Sequence, residues 1–127
     1  MLPASKKSAT AQLGAAGERA VGIFLEKQGY KILVYNYRIT GGEIDLIATR
    51  KDVIAFVEVK VRTTDYFNSS NVIIPSKQRK IILSAKKFCM LHKIIYKILR
   101  FDIALLKPNG DDFEITYIPN AFTQREN

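Results

Sequence analysis

Cysteine and histidine are scarce in this sequence, and their scarcity excludes several kinds of site. Among 127 residues, Cys89 is the only cysteine and His92 the only histidine. A single thiol cannot form an internal disulfide, and without a cluster of cysteines and histidines there is no basis for a thiolate zinc site. The lone thiol fits a reducing cytosol, so we expect a cytoplasmic protein.

Long apolar runs are also missing. No stretch reaches the roughly 20 apolar residues that span a bilayer. Residues 1–20 hold two lysines but no continuous apolar segment of the kind that marks a secretory signal. We therefore expect a soluble protein without a membrane partner. A length of 127 residues suits one compact domain, in which residues 1–9 form a flexible N-terminus.

Acidic residues are the minority among the charged ones. The chain has 20 Lys and Arg against 12 Asp and Glu, which gives a formal net charge of +8. The excess lies in residues 1–100, which hold 18 basic and 7 acidic residues, whereas residues 101–127 are acidic on balance. This imbalance favours a polyanionic partner, and charge alone does not choose between nucleic acid and an anionic membrane surface.

Hydrophobic periodicity predicts an α/β domain with the element order αβββαββ. Apolar residues recur at helical spacing from about Thr10, and Gly29 stands where this first helix would end. Three segments rich in β-branched and aromatic residues follow, separated by tight turns. They predict an antiparallel meander over residues 31–39, 43–50 and 53–61.

The second half of the chain predicts a helix and two more strands. Residues 62–75 are polar and aperiodic, which indicates a loop. Ser76 is expected to cap a second helix whose outer side is basic. Residues 101–107 and 113–118 have the composition of strands and complete the predicted order.

Two of the apolar strands carry carboxylates. A two-residue turn at Lys51-Asp52 places Asp45 opposite Glu58, and Glu43 opposite Lys60, on one face of the sheet. Opposed carboxylates about 5 Å apart repel by roughly 3 kcal/mol at an effective dielectric of about 20. A divalent cation would offset this repulsion, and oxygen ligands suit Mg²⁺ or Mn²⁺.

Lys60 would point its ammonium at the same place, where it could orient a water or stabilise charge on a phosphate. The alternative interpretation of this face is an ordinary solvated surface. In that case Glu43 and Lys60 form an exposed ion pair worth under about 1 kcal/mol.

These segments resemble a known signature. GGEIDLIA at 41–48 and FVEVKVR at 56–62 look like the D-Xn-(D/E)-X-K motif of the PD-(D/E)XK nuclease superfamily. The wider pattern is similar to the YraN-like family of small uncharacterised bacterial proteins. The matching pieces cover nearly the whole chain: GERAVGIFLEKQGYKIL at 17–33, NYR at 36–38, SKQRKI at 76–81, RFDIALL at 100–106 and NAF at 120–122.

The resemblance implies a restriction-endonuclease-like core and a metal-dependent nuclease acting on DNA. It assigns catalytic roles to Asp45, Glu58 and Lys60. Glu18 joins them, as a helix-one glutamate does in archaeal Holliday-junction resolvases, and branched or junction DNA is the corresponding substrate. Mg²⁺ or Mn²⁺ would be held by Asp45, Glu58 and Glu18. Helical spacing alone places Glu18 only at the edge of the apolar stripe, where it could equally be solvated.

Further residues are expected to surround this site. The side chains predicted to contact nucleic acid lie on strand one, after strand three and in the first turns of helix two: Arg38, Arg62, Lys77, Gln78 and Lys80. Asn36 and Glu43 are expected to support the site, Glu43 through a contact with Lys60. Asp102 is expected to pair with a basic neighbour rather than join the chemistry.

Two other functions remain open at this point. One is a non-catalytic nucleic-acid-binding protein that keeps the nuclease fold, and the other is an RNA-processing or ribosome-associated partner. Metal-dependent turnover would distinguish the enzyme from the first, and a preference for RNA over branched DNA would indicate the second. If branched DNA is the substrate, a homodimer placing two sites across a two-fold junction is attractive.

Overall fold

A computed structural model describes residues 9–62 and 73–123 of the chain. Its elements are α1 (Ala9–Lys27), β1 (Lys31–Ile39), β2 (Gly42–Arg50), β3 (Val53–Val61), α2 (Pro75–Leu91), β4 (Ile98–Asn109) and β5 (Asp112–Phe122). The predicted αβββαββ order is therefore confirmed. Most of the predicted flexible N-terminus (1–8) and most of the predicted loop (63–72) lie outside the described residues.

The strands form one five-stranded mixed sheet in chain order, β1-β2-β3-β4-β5. Strands β1, β2 and β3 make the predicted antiparallel meander, β3 and β4 are parallel, and β5 returns antiparallel to β4. A parallel pair needs a long crossover, and α2 lies within the one that connects β3 to β4. In the described residues, neither helix is long and apolar enough to cross a bilayer.

Each face of the sheet is covered by one helix. Val21 and Leu25 of α1 pack with Val57 and other small and branched residues on one face. Ile81 and Phe88 of α2 pack with aromatic and branched residues, among them Phe56, on the other face. Strand β3 is apolar on both sides because it lies between both helices, which is why it reads as a nearly continuous hydrophobic run.

The predicted register of β2 and β3 is confirmed from Arg50↔Val53 to Leu46↔Val57. The predicted alternation fails just upstream of this ladder. In a strand that alternates regularly, Ile44 would share a face with Leu46, yet it packs in the cluster on the α2 side. The alternation of side chains between the two sheet faces is therefore interrupted at Asp45, and we call this the change of sides. On the neighbouring strand, Asn36 has a left-handed backbone with φ 54°.

The start of α2 differs from the prediction. Ile74, not Ser76, is the N-cap residue, and it makes no side-chain capping hydrogen bond, while Pro75 is the first helical residue. Proline suits this position because its fixed φ is helical and its missing N–H would have no partner there. Strands β4 and β5 are also longer than predicted, since they pair beyond their apolar centres up to the Asn109↔Asp112 turn.

Candidate functional site

Asp45 and Glu58 lie where the β2–β3 ladder ends. Both carboxylates are buried, with 8% of Asp45 and 4% of Glu58 exposed. Asp45 Oδ2 accepts a hydrogen bond from the backbone N–H of Val59 over 2.8 Å. In a regular ladder this N–H would donate to a backbone carbonyl of the neighbouring strand. Here it donates to the Asp45 side chain, which fixes the carboxylate beside β3.

The Asp45 carboxylate lies in an acidic environment. Burial is the main cause that raises its pKa to about 7, and the negative charges of Glu58 and, to a smaller extent, Glu18 raise it further against the Val59 hydrogen bond. A carboxyl group with a pKa near 7 readily exchanges its proton at neutral pH, so a metal cation can replace that proton. Such groups concentrate at functional sites.

Two lysines approach Glu58. Lys60 Nζ lies 3.4 Å and Lys77 Nζ 2.7 Å from the same atom, Glu58 Oε1. Lys60 reaches it along its own strand, as the prediction of a shared face requires. Lys77 reaches it from the first turn of α2, although the sequence pattern predicts only a nucleic-acid contact for this lysine. Its position follows from α2 packing on the sheet face that carries Phe56 and Glu58.

Glu18 reaches the site from the opposite helix. A Cβ atom on Gly17 would lie 3.0 Å from Val61 Cγ2 and 3.2 Å from Leu106 Cδ2, so α1 approaches β3 closely only because residue 17 is glycine. Glu18 Oε2 accepts a hydrogen bond from Asn36 Nδ2 over 2.8 Å. This hydrogen bond fixes the Glu18 carboxylate, and asparagine tolerates the left-handed backbone found at residue 36.

The electrostatics of Glu18 connect it to the other carboxylates. Burial raises the pKa of Glu18, the hydrogen bond from Asn36 opposes that rise, and the charges of Glu43 and Glu58 add to it. Asp45 also responds to the charge of Glu18. The structure thus brings Glu18, Asp45, Glu58 and Lys60 into one region at the end of the ladder.

The donor set fits a hard divalent cation. In residues 9–62 and 73–123, no group of three His, Cys, Asp or Glu side chains lies close enough together to hold a metal ion. Mg²⁺ does not require such a group, because it keeps several waters and is commonly held by one or two carboxylates together with substrate phosphates. Asp45 and Glu58 supply two buried carboxylates of this kind, and Glu18 lies within electrostatic reach of both.

The predicted contact between Glu43 and Lys60 is wrong. Glu43 Oε2 lies 3.4 Å from Arg38 Nε, and Lys60 contacts Glu58 instead. The β1–β2 register places Arg38 directly opposite Glu43. After the change of sides at Asp45, Glu43 meets Arg38 on β1 instead of Lys60 on β3. The Arg38–Glu43 pair is exposed and contributes little to stability.

The remaining predicted contact residues are in different environments. Arg38, Lys77 and Lys80 line one cavity together with Glu43. Arg62 is exposed at the end of β3. The Gln78 amide donates to the Ile73 carbonyl over 2.9 Å, so it holds the segment before α2 in place.

Asp102 belongs to a separate network. It is fully buried, and its carboxylate accepts hydrogen bonds from Arg100 Nη2 over 2.8 Å, from the Asn120 backbone N–H over 2.8 Å and from the Tyr117 hydroxyl. The expected pairing with a basic neighbour is confirmed. These contacts join β4 to β5 and have no direct link to Asp45 or Glu58.

Comparison with known proteins adds a family. The model of the uncharacterised protein family UPF0102 matches residues 17–106. A UPF0102 protein of Clostridium perfringens is 37% identical over 113 residues, covering 87% of this chain and 93% of its own length. UPF0102 proteins of Desulfosudis oleivorans and Myxococcus xanthus are 41% and 33% identical over 112 residues, each covering 87% of this chain and 89% of the relative. The matched range includes Glu18, Asp45, Glu58 and Lys60.

Proposed function

This chain belongs to the uncharacterised protein family UPF0102, and we propose that it is a metal-dependent phosphodiesterase of the PD-(D/E)XK type that cleaves DNA. One observation carries the proposal. Asp45 and Glu58 are buried side by side at the end of a ladder, and Lys60 and Lys77 reach the same Glu58 oxygen. Adjacent buried carboxylates cost free energy in the folded protein, and metal binding would recover it.

Asp45, Glu58 and Glu18 would hold Mg²⁺ or Mn²⁺. When bound, the cation supplies a more acidic water and stabilises the negative charge that develops on phosphorus-bound oxygens. The Val59 N–H and Asn36 fix the carboxylates of Asp45 and Glu18 respectively. The ammonium groups of Lys60 and Lys77 stand where they can hydrogen-bond to a phosphate oxygen or orient the attacking water.

The charge of the chain supports a nucleic-acid substrate. The net charge of +8 favours a phosphate backbone, and Arg38, Arg62 and Lys80 are accessible on the surface that surrounds the site. A cytoplasmic location suits the buried free thiol of Cys89. Branched DNA and a homodimer that spans its two-fold axis belong to the same proposal.

The test is a cleavage assay on a panel of linear, flapped and four-way DNA and on RNA, with Mn²⁺, Mg²⁺ or EDTA. We expect cuts in DNA that require the metal and disappear in Asp45→Ala. Asp112→Ala is the matched control because Asp112 is an exposed aspartate on β5. Cleavage that survives EDTA and Asp45→Ala alike would refute the proposal.

A non-catalytic nucleic-acid-binding protein is the second candidate. The specific observation in its favour is the Lys77 ammonium on Glu58, which already neutralises that carboxylate. This candidate predicts metal-independent binding without cuts. In both candidates, affinity for duplex DNA should fall with salt at a logarithmic slope of about −0.9 for each phosphate neutralised. A preference for RNA over branched DNA would favour the RNA-processing alternative.

A further inference from the structure

A cavity of about 580 Å³ lies between the β1–β2 turn and the first turns of α2. Its size is within the range of roughly 300–1,000 Å³ that is typical of ligand sites. The turn is made by Thr40 and by Gly41, which has φ 90°, and Gly42 is the first residue of β2. A Cβ atom on Gly42 would lie 2.5 Å from Ser84 Oγ. The sheet and α2 can meet at one end of the cavity because residue 42 has no side chain.

The lining of the cavity combines three kinds of chemistry. Arg38, Lys77 and Lys80 provide positive charge, and Glu43 provides a hydrogen-bond acceptor. Ile74 is an apolar wall that is 61% exposed although it is a large aliphatic residue. A simple anion would use only the cations. A nucleotide would use all three, because it has a phosphate, an apolar base face and a base edge with N–H donors.

The cavity adjoins the carboxylate site at Lys77. Lys77, which lines the cavity, contacts Glu58 Oε1 over 2.7 Å. The charges of Arg38 and Glu43, on the other wall, act on Glu18. A group bound in the cavity is therefore a direct neighbour of any phosphate bound at Asp45 and Glu58.

We propose that this cavity binds one unpaired nucleotide beside the phosphodiester to be cleaved, so that the substrate carries a single-stranded segment. The inference rests on the proposed action on nucleic acid. Lys80 contacts the phosphate of this nucleotide, Ile74 packs on the face of its base, and Glu43 accepts a hydrogen bond from the base edge. A base paired within a duplex cannot lay its face on Ile74, since its faces are stacked on its neighbours, and its Watson–Crick edge is occupied by its partner.

The test is fluorescence anisotropy in EDTA, which separates binding from cleavage. It compares a blunt DNA duplex with the same duplex carrying a single-stranded overhang. We expect the overhang to bind about tenfold more tightly, because burial of one base face on an aliphatic side chain has this order of effect. In Ile74→Ser this advantage should disappear.

Ile74→Ser is a favourable variant because serine is a preferred N-cap residue and Ile74 occupies the N-cap of α2 without a side-chain cap. The variant should unfold at the same temperature as the wild type or higher, so a loss of binding does not come from unfolding. Leu83→Ser is the control, because Leu83 is an exposed leucine of α2 that does not line the cavity. It should keep the preference for the overhang.

Equal affinity of the wild type for both DNAs would overturn the inference, as would an equal loss of preference in both variants. Its failure can be distinguished from failure of the proposed function. Metal-dependent cleavage of blunt duplex, with no preference for the overhang, would refute nucleotide binding in the cavity and support the nuclease activity. An overhang preference that depends on Ile74, with no cleavage of any DNA, would support nucleotide binding in the cavity and refute the nuclease activity.

Discussion

Lys77 Nζ lies 2.7 Å from Glu58 Oε1, closer than Lys60 Nζ, which lies 3.4 Å from the same oxygen. Burial alone would lower the pKa of Lys77, but the hydrogen bond to Glu58 and the charge of Glu58 outweigh burial and raise the pKa. Lys77 is therefore protonated and positively charged at neutral pH. A metal ion that binds Glu58 must share the carboxylate with this ammonium.

Lys77→Ala should raise the affinity for Mn²⁺, because it removes a positive charge next to a metal-binding carboxylate. Even a screened contact of this kind has an effect of about tenfold, or about 1.4 kcal/mol. Isothermal titration with Mn²⁺ measures it, and Lys87→Ala is the matched control because Lys87 is an exposed lysine of the same helix. An unchanged affinity in Lys77→Ala would show that Lys77 does not compete with the metal.

Glu58→Gln should lower cleavage by orders of magnitude, because the amide keeps the shape of the side chain and removes one charge that holds the metal. DNA binding in EDTA should stay level or tighten slightly, since a carboxylate that repels phosphate has been neutralised. Lys60→Ala should lose turnover and keep metal binding or raise it by less than Lys77→Ala does, because an ammonium is not a metal ligand and Lys60 is the more distant of the two lysines on Glu58. Gel cleavage and Mn²⁺ titration measure both, with exposed Glu26→Gln as the control.

The pH dependence of stability should report on Asp45. An unfolded aspartate loses its proton near pH 4, whereas folded Asp45 keeps its proton up to a pKa of about 7. Between these values the folded state binds more protons, so the stability that protonated Asp45 provides is lost as the pH rises through about 7. The change is of the order of a few kcal/mol, and Asp45→Asn, which stays neutral, should lack it.

Chemical unfolding of both proteins in EDTA across this pH interval measures the difference. Above the pKa of Asp45, added Mg²⁺ should stabilise the wild type in proportion to the logarithm of its concentration and leave Asp45→Asn unchanged. Parallel stability curves for the two proteins would contradict the buried, acidic environment of Asp45.

Much of the site could be predicted from local patterns. The period of two along β2 and β3, with a two-residue turn between them, placed Asp45 beside Glu58, and the register bears this out as far as Leu46↔Val57. Lys60 follows from the same period. The resemblance added Glu18, which the helical pattern alone left at an edge. These features depend on short-range geometry that the sequence determines directly.

The features that were predicted wrongly depend on tertiary contacts. Ile44 changes sides where the carboxylate of Asp45 accepts the Val59 N–H, and no periodic pattern contains that hydrogen bond. Beyond this change, Glu43 meets Arg38 rather than Lys60. The contact of Lys77 with Glu58 was missed because it depends on how α2 crosses the sheet.

Two glycines of α1, Gly17 and Gly14, should have opposite effects on stability when they are replaced. Gly17→Val should destabilise the protein by about 1–3 kcal/mol, since its side chain would overlap Val61 and Leu106. It should also reduce cleavage by moving Glu18 away from the site. Gly14→Ala should stabilise by about 0.5–1 kcal/mol, because a Cβ there meets nothing within 4 Å. Urea unfolding and cleavage rates check both; equal effects would refute the close approach.

Asp102 provides the last prediction, which separates support of the fold from chemistry. Its buried carboxylate faces Arg100, whose side chain is 20% exposed, and the charge of Asp102 contributes, after burial, to a raised pKa of the Tyr117 hydroxyl. Asp102→Ala leaves Arg100 without its partner and the Asn120 N–H without an acceptor. We expect a loss of about 3–5 kcal/mol in the free energy of unfolding, against little change in exposed Asp112→Ala.

The same variant should keep its activity per folded molecule. Asp102 contacts Arg100, Tyr117 and Asn120 rather than Asp45 or Glu58, so its removal changes how many molecules are folded and not what a folded molecule does. Cleavage rates measured at low temperature should therefore match the wild type once they are normalised to the folded fraction from circular dichroism. A rate that falls further than the folded fraction would place Asp102 in the chemistry and contradict its assignment to the link between β4 and β5.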